Sequence, residues 1–219
     1  MAPVLKTFEI CLQAVNDADS AQGLLDAVED LAELNDKRAI PTLIQVLGFN
    51  NPGAAVAAVE GLIQIGVPAV SLLLDKLDGY NYGARAWAIR ALAGIGDPRG
   101  QALLLNAAAN DFSLSVRRAA ARGLGTIRWH DIPDNEREGA MMQSQTVLFQ
   151  VTKDDEWVVR YAAVVGLEAL ALKLTETGNI IQCLSQLSHH DDTAAVQARA
   201  QWALENLGLT GNQDSNTQS

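Results

Sequence analysis

The chain has 219 residues, of which 48 % are hydrophobic and 5 % aromatic, and its formal net charge is −10 at pH 7. The apolar content is enough for a core, but no run of about 18 uninterrupted apolar residues occurs, so no membrane-spanning helix is predicted. Residues 1–78 carry a net charge of −7, residues 79–128 of +5 and residues 129–219 of −8. Acidic flanks around a basic segment argue against binding to nucleic acid, because they repel its phosphate backbone. The basic segment fits a small anionic ligand or an acidic patch on a partner.

The N-terminus and the cysteines bear on the cellular compartment. The opening MAPVLKTFEI has neither the apolar core nor the cleavage site of a signal peptide. Cys11 and Cys183 stand in unrelated parts of the chain, without metal-ligand spacing. Because disulfides occur mainly in oxidising compartments, we expect two reduced thiols and a cytoplasmic protein.

A recurring helical pattern organises the chain from its N-terminal third onward. Runs such as AVEDL, AVEGL and AIRAL end at leucines spaced 31, 30, 32, 43 and 37 residues apart, namely Leu31, Leu62, Leu92, Leu124, Leu167 and Leu204. A second apolar segment of helix length precedes four of them, at residues 40–47, 67–77, 103–109 and 180–187. Two helices per period of 30 to 40 residues are typical of HEAT or armadillo repeats. The sequence therefore predicts an all-α solenoid of five to six units, in a single domain over residues 1–210.

Local signals divide the chain further. Residues 1–35 predict two helices, the second capped by Ser20. The widest leucine spacing accommodates an insertion at residues 128–139, RWHDIPDNEREG. The final residues 211–219, GNQDSNTQS, are polar and predict a disordered tail.

The segment at residues 78–96 predicts a loop at 78–83 followed by a helix from Ala84 with a small-residue face. Ala84, Ala88, Ala91, Leu92 and Ile95 share one side at helical spacing, which allows a neighbouring helix to approach closely. The turn before the helix and the helix itself bring aromatic and cationic side chains together, in Tyr80, Tyr82, Arg85, Trp87 and Arg90.

All seven basic residues of the basic segment are arginines. In HEAT-type repeats, the second helix often has an arginine near its start. An aspartate six residues before that arginine bonds to the neighbouring repeat. Asp111–Arg117 and Asp154–Arg160 have this spacing. Arg85 lacks such an aspartate, which predicts that it is freer for a ligand.

Two further groups have open interpretations. Arg118 and Arg122 are four residues apart on one helix, where like charges repel, so they are either solvated or bridged by an anion. The tryptophans either pack between repeats or form ligand platforms; they are Trp87, Trp129, Trp157 and Trp202, and Tyr161 follows Trp157 by one helical turn.

Familiar catalytic motifs are absent from the sequence: it has no GxSxG, no phosphate-binding loop, no HExxH and no CxxC. His130, His189 and His190 are predicted in loops. The run His189–Asp192 has no diagnostic ligand spacing, so a solvated turn is favoured over a metal site and no metal is predicted.

The words GYNYGARAWAIRALAGIGDPR, FNNPGAAVAAVEGLIQIG, FSLSVRRAAARGLG and DDEWVVRYAAVVGLE resemble the E/F-type bilin lyases of cyanobacteria, most closely the beta (F-type) subunits of phycocyanobilin lyase. The resemblance covers residues 39–170. It implies a HEAT-like solenoid that pairs with an E-type subunit and attaches phycocyanobilin, through a thioether, to a cysteine of the phycocyanin alpha subunit. Phycocyanobilin is then a substrate, and no cofactor is implied. The His-Cys pair of the related lyase-isomerases is missing, which implies ligation without isomerisation.

The same resemblance turns the arginines and aromatics into candidate bilin ligands, since a bilin carries two propionates on a flexible tetrapyrrole. The expected bilin-binding residues are Tyr80, Tyr82, Arg85, Trp87, Arg90, Arg118, Arg122, Trp157 and Tyr161. A carboxylate that protonates the bilin is sought among Asp97, Asp111 and Asp154, for each of which a structural role is the alternative. Two rival functions are a non-enzymatic chaperone or adaptor of phycobiliproteins, including one that detaches bilin, and a protein-binding solenoid without a pigment.

Overall fold

The computed structural model describes residues 7–76 and 82–208, and the side chains of Lys76 and Tyr82 lie outside that description. Its regular elements are helices throughout, which confirms the all-α prediction. The chain forms two compact units, residues 1–100 and 101–219. A single solenoid domain over residues 1–210 stays a prediction, and the expected tail at 211–219 lies outside the described residues.

Unit 1 contains three helix pairs. Its helices are α1 (Phe8–Asp17), α2 (Ala21–Glu33), α3 (Ile40–Val46), α4 (Pro52–Ile65), α5 (Val67–Lys76) and α6 (Tyr82–Ile95). The second helices of the pairs pack in a row, α2 against α4 and α4 against α6. Their small faces are buried as predicted, because Ala84, Ala88, Ala91, Leu92 and Ile95 are each at most 5 % exposed.

Polar side chains cap the starts of α2 and α4, and a glycine ends α4. The Ser20 hydroxyl accepts a hydrogen bond from the Gly23 N–H at 3.1 Å, which confirms the predicted cap of α2. The Asn51 side chain accepts from the Ala54 N–H at 3.1 Å and donates to the Ala21 carbonyl at 2.9 Å, so it also ties α4 to α2. Gly66 terminates α4 at φ +74°, a backbone conformation that glycine adopts without strain.

Unit 2 repeats the arrangement. Its helices are α7 (Gln101–Asn110), α8 (Leu114–Gly125), α9 (Asp134–Val151), α10 (Trp157–Ala171), α11 (Gly178–His190) and α12 (Ala194–Asn206). Here α10 packs between α8 and α12, while α7, α9 and α11 pack against the helices that follow them. The repeat leucines Leu124 and Leu167 are fully buried and Leu204 is 7 % exposed, as the periodicity predicts.

The residues expected to form an insertion, 128–139, are largely the start of a helix. After a 3-10 turn at Trp129–Asp131, residues 134–139 form the first turns of α9. The Arg137 guanidinium fastens the turn by donating to the carbonyls of Trp129 at 2.7 Å and Ile132 at 2.9 Å. Trp129 is 4 % exposed, so among its two interpretations the packing role is the observed one.

Two glycines let α8 and α10 touch backbone to backbone. A Cβ atom at Gly166 would lie 2.4 Å from the Ala121 carbonyl oxygen, and one at Gly125 would lie 2.2 Å from the Gly166 carbonyl oxygen. Gly166 therefore sits between Ala121 and Gly125, which fixes the lengthwise alignment of the two helices.

Replacing Gly166 by alanine is expected to destabilise unit 2, because the clash is with backbone and not with a movable side chain. Overpacking of this kind costs about 1–3 kcal/mol. The matched control is Gly139→Ala in α9, where a Cβ meets nothing within 4 Å; it should stabilise by roughly 0.5–1 kcal/mol. Urea unfolding of both variants measures the difference, and equal stability of the two would contradict the close approach.

Candidate functional site

Two arginines join neighbouring repeats in unit 2. The Arg117 guanidinium donates to both carboxylate oxygens of Asp154, at 2.7 and 3.0 Å, and to the main-chain oxygen of Asp111 at 2.9 Å. Arg160 repeats the geometry one unit later, with the Asp191 carboxylate at 2.9 Å and the Asp154 main-chain oxygen at 2.9 Å. The predicted contacts between arginine and aspartate of successive repeats are therefore present, and we call them the ladder. Each arginine forms its ion pair with the aspartate of the next repeat, and the aspartate six residues before it accepts a hydrogen bond through its main-chain oxygen.

These aspartates are held in the ionised form. Burial by itself would raise the pKa of Asp191, but the Arg160 guanidinium and the Thr193 N–H outweigh it and lower that pKa. The pKa of Asp154 is lowered for the same reasons, with Arg117 and the Glu156 N–H as its partners. A carboxylate in such a setting is a poor proton donor at neutral pH.

The three expected catalytic aspartates occupy one recurring structural position. Each accepts a hydrogen bond from the N–H two residues further on: Asp97 from Arg99 at 3.0 Å, Asp111 from Ser113 at 2.9 Å, and Asp154 from Glu156 at 2.9 Å. Asp97 also pairs with the Arg99 side chain at 2.9 Å. These contacts agree with the structural alternative, and protonation of a bilin by any of the three stays a prediction.

In unit 1, one pair of the expected bilin-binding residues is brought together. The Arg90 guanidinium carbon lies 5.6 Å from the centre of the Trp87 ring, within the range of a cation–π contact. Arg90 is exposed and Trp87 half-buried. Arg85 is half-buried and has contacts of its own, and its greater availability to a ligand than Arg117 or Arg160 stays a prediction. Tyr80 and the side chain of Tyr82 lie outside the described residues.

In unit 2, cations and aromatics lie at equivalent positions on three adjacent helices. Arg118 and Tyr161 each stand six residues before the repeat leucine, while Arg122 and Trp202 each stand two residues before it. Because the repeats place them at the same helical positions, we expect these residues to share one side of the helix row. We call this the cation–aromatic face, formed by Arg118, Arg122, Trp157, Tyr161, Arg199 and Trp202.

The exposure of these side chains suits contact with a ligand. Trp157 is 44 % and Trp202 is 56 % exposed. Arg118 and Arg122 are exposed, and neither has an ion pair or a hydrogen bond to another residue in the described part of the chain. Their mutual repulsion is therefore not offset by a neighbouring carboxylate there.

Arg199 is the member of this face that the sequence interpretation missed. Its guanidinium carbon lies 5.0 Å from the Trp202 ring centre and 6.0 Å from that of Tyr161. Its Nη2 pairs with the Glu168 carboxylate, which also accepts a hydrogen bond from Asn206 at 2.7 Å. A signal was present in the repeat alignment, because the equivalent positions in α8 and α10 are alanines, Ala119 and Ala162.

A separate groove of about 560 Å³ runs between α9 and α11. It is lined by Thr146, Phe149, Gln150, Lys153, Asn179, Gln182, Cys183 and Gln186. Burial raises the pKa of the Cys183 thiol, which opposes formation of a reactive thiolate. Both Cys11 and Cys183 are free thiols in the structure.

The histidine prediction was wrong in part, because His189 and His190 form the last turn of α11 and not a loop. Over residues 7–76 and 82–208, no group of three or more His, Cys, Asp or Glu side chains has a geometry that could hold a metal ion. In the same residues, no helix is both long and apolar enough to cross a bilayer.

Comparisons with known proteins give a consistent result. Models of two repeat families match, HEAT repeats over residues 70–138 and the PBS lyase HEAT-like repeat over residues 12–49. A phycobilisome maturation protein of Synechococcus elongatus is 53 % identical over 90 % of this chain and 96 % of its own length. A phycocyanin alpha phycocyanobilin lyase CpcF of Synechocystis is 52 % identical over 94 % of this chain and 96 % of its own length.

A solved structure is similar as well. The complex of CpcE and CpcF of phycocyanin lyase from Nostoc contains a chain that is 46 % identical, with a TM-score of 0.73. The match covers 77 % of this chain and 99 % of that one.

Acid should weaken the contribution of the Arg160–Asp191 pair. Because the folded-state pKa of Asp191 is below its unfolded value, its stabilisation is complete above about pH 5 and is lost as pH falls below about 4. Asp191→Asn should therefore cost about 1–3 kcal/mol at pH 7 and progressively less in acid. Denaturant unfolding at pH 7, 5 and 3.5 measures this. Asp155→Asn, at an exposed neighbouring position, is the control, and a cost for Asp191→Asn that does not depend on pH would refute the assignment.

Proposed function

Because the chain belongs to the family of phycocyanobilin lyase beta subunits, we propose that it is one subunit of a heterodimeric bilin lyase. With an E-type partner it attaches phycocyanobilin, through a thioether, to a cysteine of the phycocyanin alpha subunit. The observation that carries this is the near-full-length similarity to CpcF, at 52 % identity, together with the CpcF-like fold found in complex with CpcE.

The chemistry of attachment suits a chain without a nucleophile of its own. The acceptor protein supplies the sulfur, whose proton is transferred to the bilin as the carbon–sulfur bond forms. The lyase contributes by holding the reacting carbon near the thiol in one pose, and such positioning lowers barriers substantially. The raised pKa of Cys183 agrees with a mechanism in which the lyase thiols do not take part. Phycocyanobilin is the substrate, and no cofactor is invoked.

Bilin binding is proposed for the cations and aromatics of each unit. In unit 1 the Arg90–Trp87 pair offers a charge beside a ring; in unit 2 the cation–aromatic face offers Arg118 and Arg122 beside Trp157 and Tyr161. Arginine suits a propionate because its planar fork binds a carboxylate with two parallel hydrogen bonds. An anion held across Arg118 and Arg122 would also offset their mutual repulsion. With its free thiols, the protein is proposed to act in the cytoplasm.

The enzymatic proposal is tested by dependence on the partner. This chain alone should attach no pigment, whereas co-expression with an E-type subunit, the apo-alpha subunit and a bilin source should give covalent, acid-stable pigment on the alpha subunit. Denaturing gels with bilin fluorescence detect the product, and omission of each component is the control. Full attachment by the chain alone would contradict the heterodimer. Pigment that is bound but not covalent would favour the chaperone alternative, and loss of pigment from holo-alpha would favour the detaching one.

Bilin affinity should depend on two of the expected ligands. Arg90→Ala and Arg118→Ala should each weaken phycocyanobilin binding to the assembled heterodimer, since a hydrogen bond to a charged group contributes roughly 1.5–3 kcal/mol, about 10- to 150-fold in affinity. Lysine at either position should recover only part of the loss. Absorbance titration measures the affinity, and a thermal melt confirms that each variant is folded. Lys173→Ala, an exposed cation after α10, is the control. Unchanged affinity in both arginine variants would favour docking of an acidic protein surface instead.

A further inference from the structure

Arg199 has a buried polar atom that the fold does not satisfy. The residue is 8 % exposed, and its Nη2 is paired with Glu168. Its Nη1 is buried and has no hydrogen-bond partner in the part of the chain that the structure describes. Leaving a buried donor of a charged group unpaired is unfavourable, and native proteins rarely do so without a reason. An acceptor on a bound ligand is one such reason.

Two aromatic rings lie beside the Arg199 guanidinium. The ring centres of Trp202 and Tyr161 lie 5.0 and 6.0 Å from the guanidinium carbon. Trp202 is 56 % exposed, so its indole can change rotamer without opening the core of α12. An outward turn of the indole would open that side of the guanidinium to a ligand and leave an aromatic face beside it.

The surroundings define what would bind. A guanidinium favours a carboxylate or phosphate, and exposed indoles favour a flat conjugated group that stacks on them. The chemistry therefore selects a flat conjugated molecule that carries a carboxylate or phosphate.

We propose that Arg199 is a carboxylate-binding residue of the lyase, with Trp202 as a movable cover that stacks on the ligand once displaced. The inference rests on the proposed function, in which the ligand is the bilin and the carboxylate is one of its propionates. An acidic side chain of a protein partner fits less well. The donor is buried beside an indole, and a side chain tethered to a folded surface would have to displace that indole to reach it.

The test compares two ligands that differ only in the propionates. Phycocyanobilin and its dimethyl ester are titrated by absorbance into the complex of this chain with its E-type partner, because the ester keeps the tetrapyrrole and loses both charges. The variant is Arg199→Met combined with Glu168→Gln, so that no carboxylate is left unpaired. The matched control is Arg38→Met, since Arg38 also pairs with a carboxylate, Asp36, and lies 4.2 Å from the centre of the Phe8 ring.

The expected result is selective. Affinity of the double variant for free phycocyanobilin should fall about tenfold or more, while its affinity for the ester should change less than about twofold. Arg199→Lys should retain part of the preference for the free acid. Trp202→Ala should weaken binding of both ligands, and Trp202→Phe should weaken it less because a ring remains. Arg38→Met should leave both affinities unchanged.

Three results would overturn the inference. Equal losses for acid and ester would mean that Arg199 only supports the fold, and an unchanged affinity for the acid would remove its ligand role. Loss of the E-type partner from the double variant, with the partner retained by the wild type and Arg38→Met, would assign Arg199 to the subunit interface. In each case a wild-type complex that still attaches bilin leaves the proposed function standing. A wild-type complex that binds no bilin would refute both proposals.

Discussion

The surface of unit 2 depends on the contacts of one recurring arginine, which stands seven residues before the repeat leucine. Arg117 and Arg160 each donate to both carboxylate oxygens of the aspartate in the next repeat and to two carbonyls of their own repeat. With 16 % and 10 % of their side chains exposed, they are committed to the fold. Adjacent positions on the same helices are thereby left for recognition, which is why Arg117 and Arg118 have such different surroundings despite being neighbours in sequence.

The fold was predictable where the signal is periodic. Leucine spacing located the second helix of each pair, and the six-residue spacing of aspartate and arginine located the ladder, because both reflect contacts that recur in every repeat. The helix α9 was not predicted; its first turns, DNEREG, are polar and carry no apolar stripe. The sequence indicated Asp111 for Arg117 and missed its ion-pair partner Asp154, because Asp154 lies 37 residues away in sequence.

For the candidate site, the sequence predicted which kinds of side chain take part but not how they are arranged. Arginines and aromatics were identified from spacing, and the structure brings Arg90 to Trp87 and leaves Arg118 and Arg122 exposed. The surroundings of Arg199 were not identified, because its partner Glu168 lies 31 residues earlier, on α10, and its burial follows from the packing of α10 against α12. For the carboxylates, the sequence named candidates whose observed contacts agree with a structural role. Sequence named Asp97, Asp111 and Asp154 as possible acids, whereas each caps a turn through the N–H two residues on.

The contact of Gly166 with Ala121 and Gly125 has a consequence for how such a protein can diversify. Helix spacing in unit 2 is set by main-chain atoms on the buried side of α8 and α10, independent of which side chains stand on the opposite side. Exchange of an arginine for a neutral residue, or of an indole for a smaller ring, therefore alters the chemistry of the exposed side while the distance between α8 and α10 stays the same. Substitutions at a few exposed positions can change the charge and aromatic content of this surface, provided that those two glycines are kept.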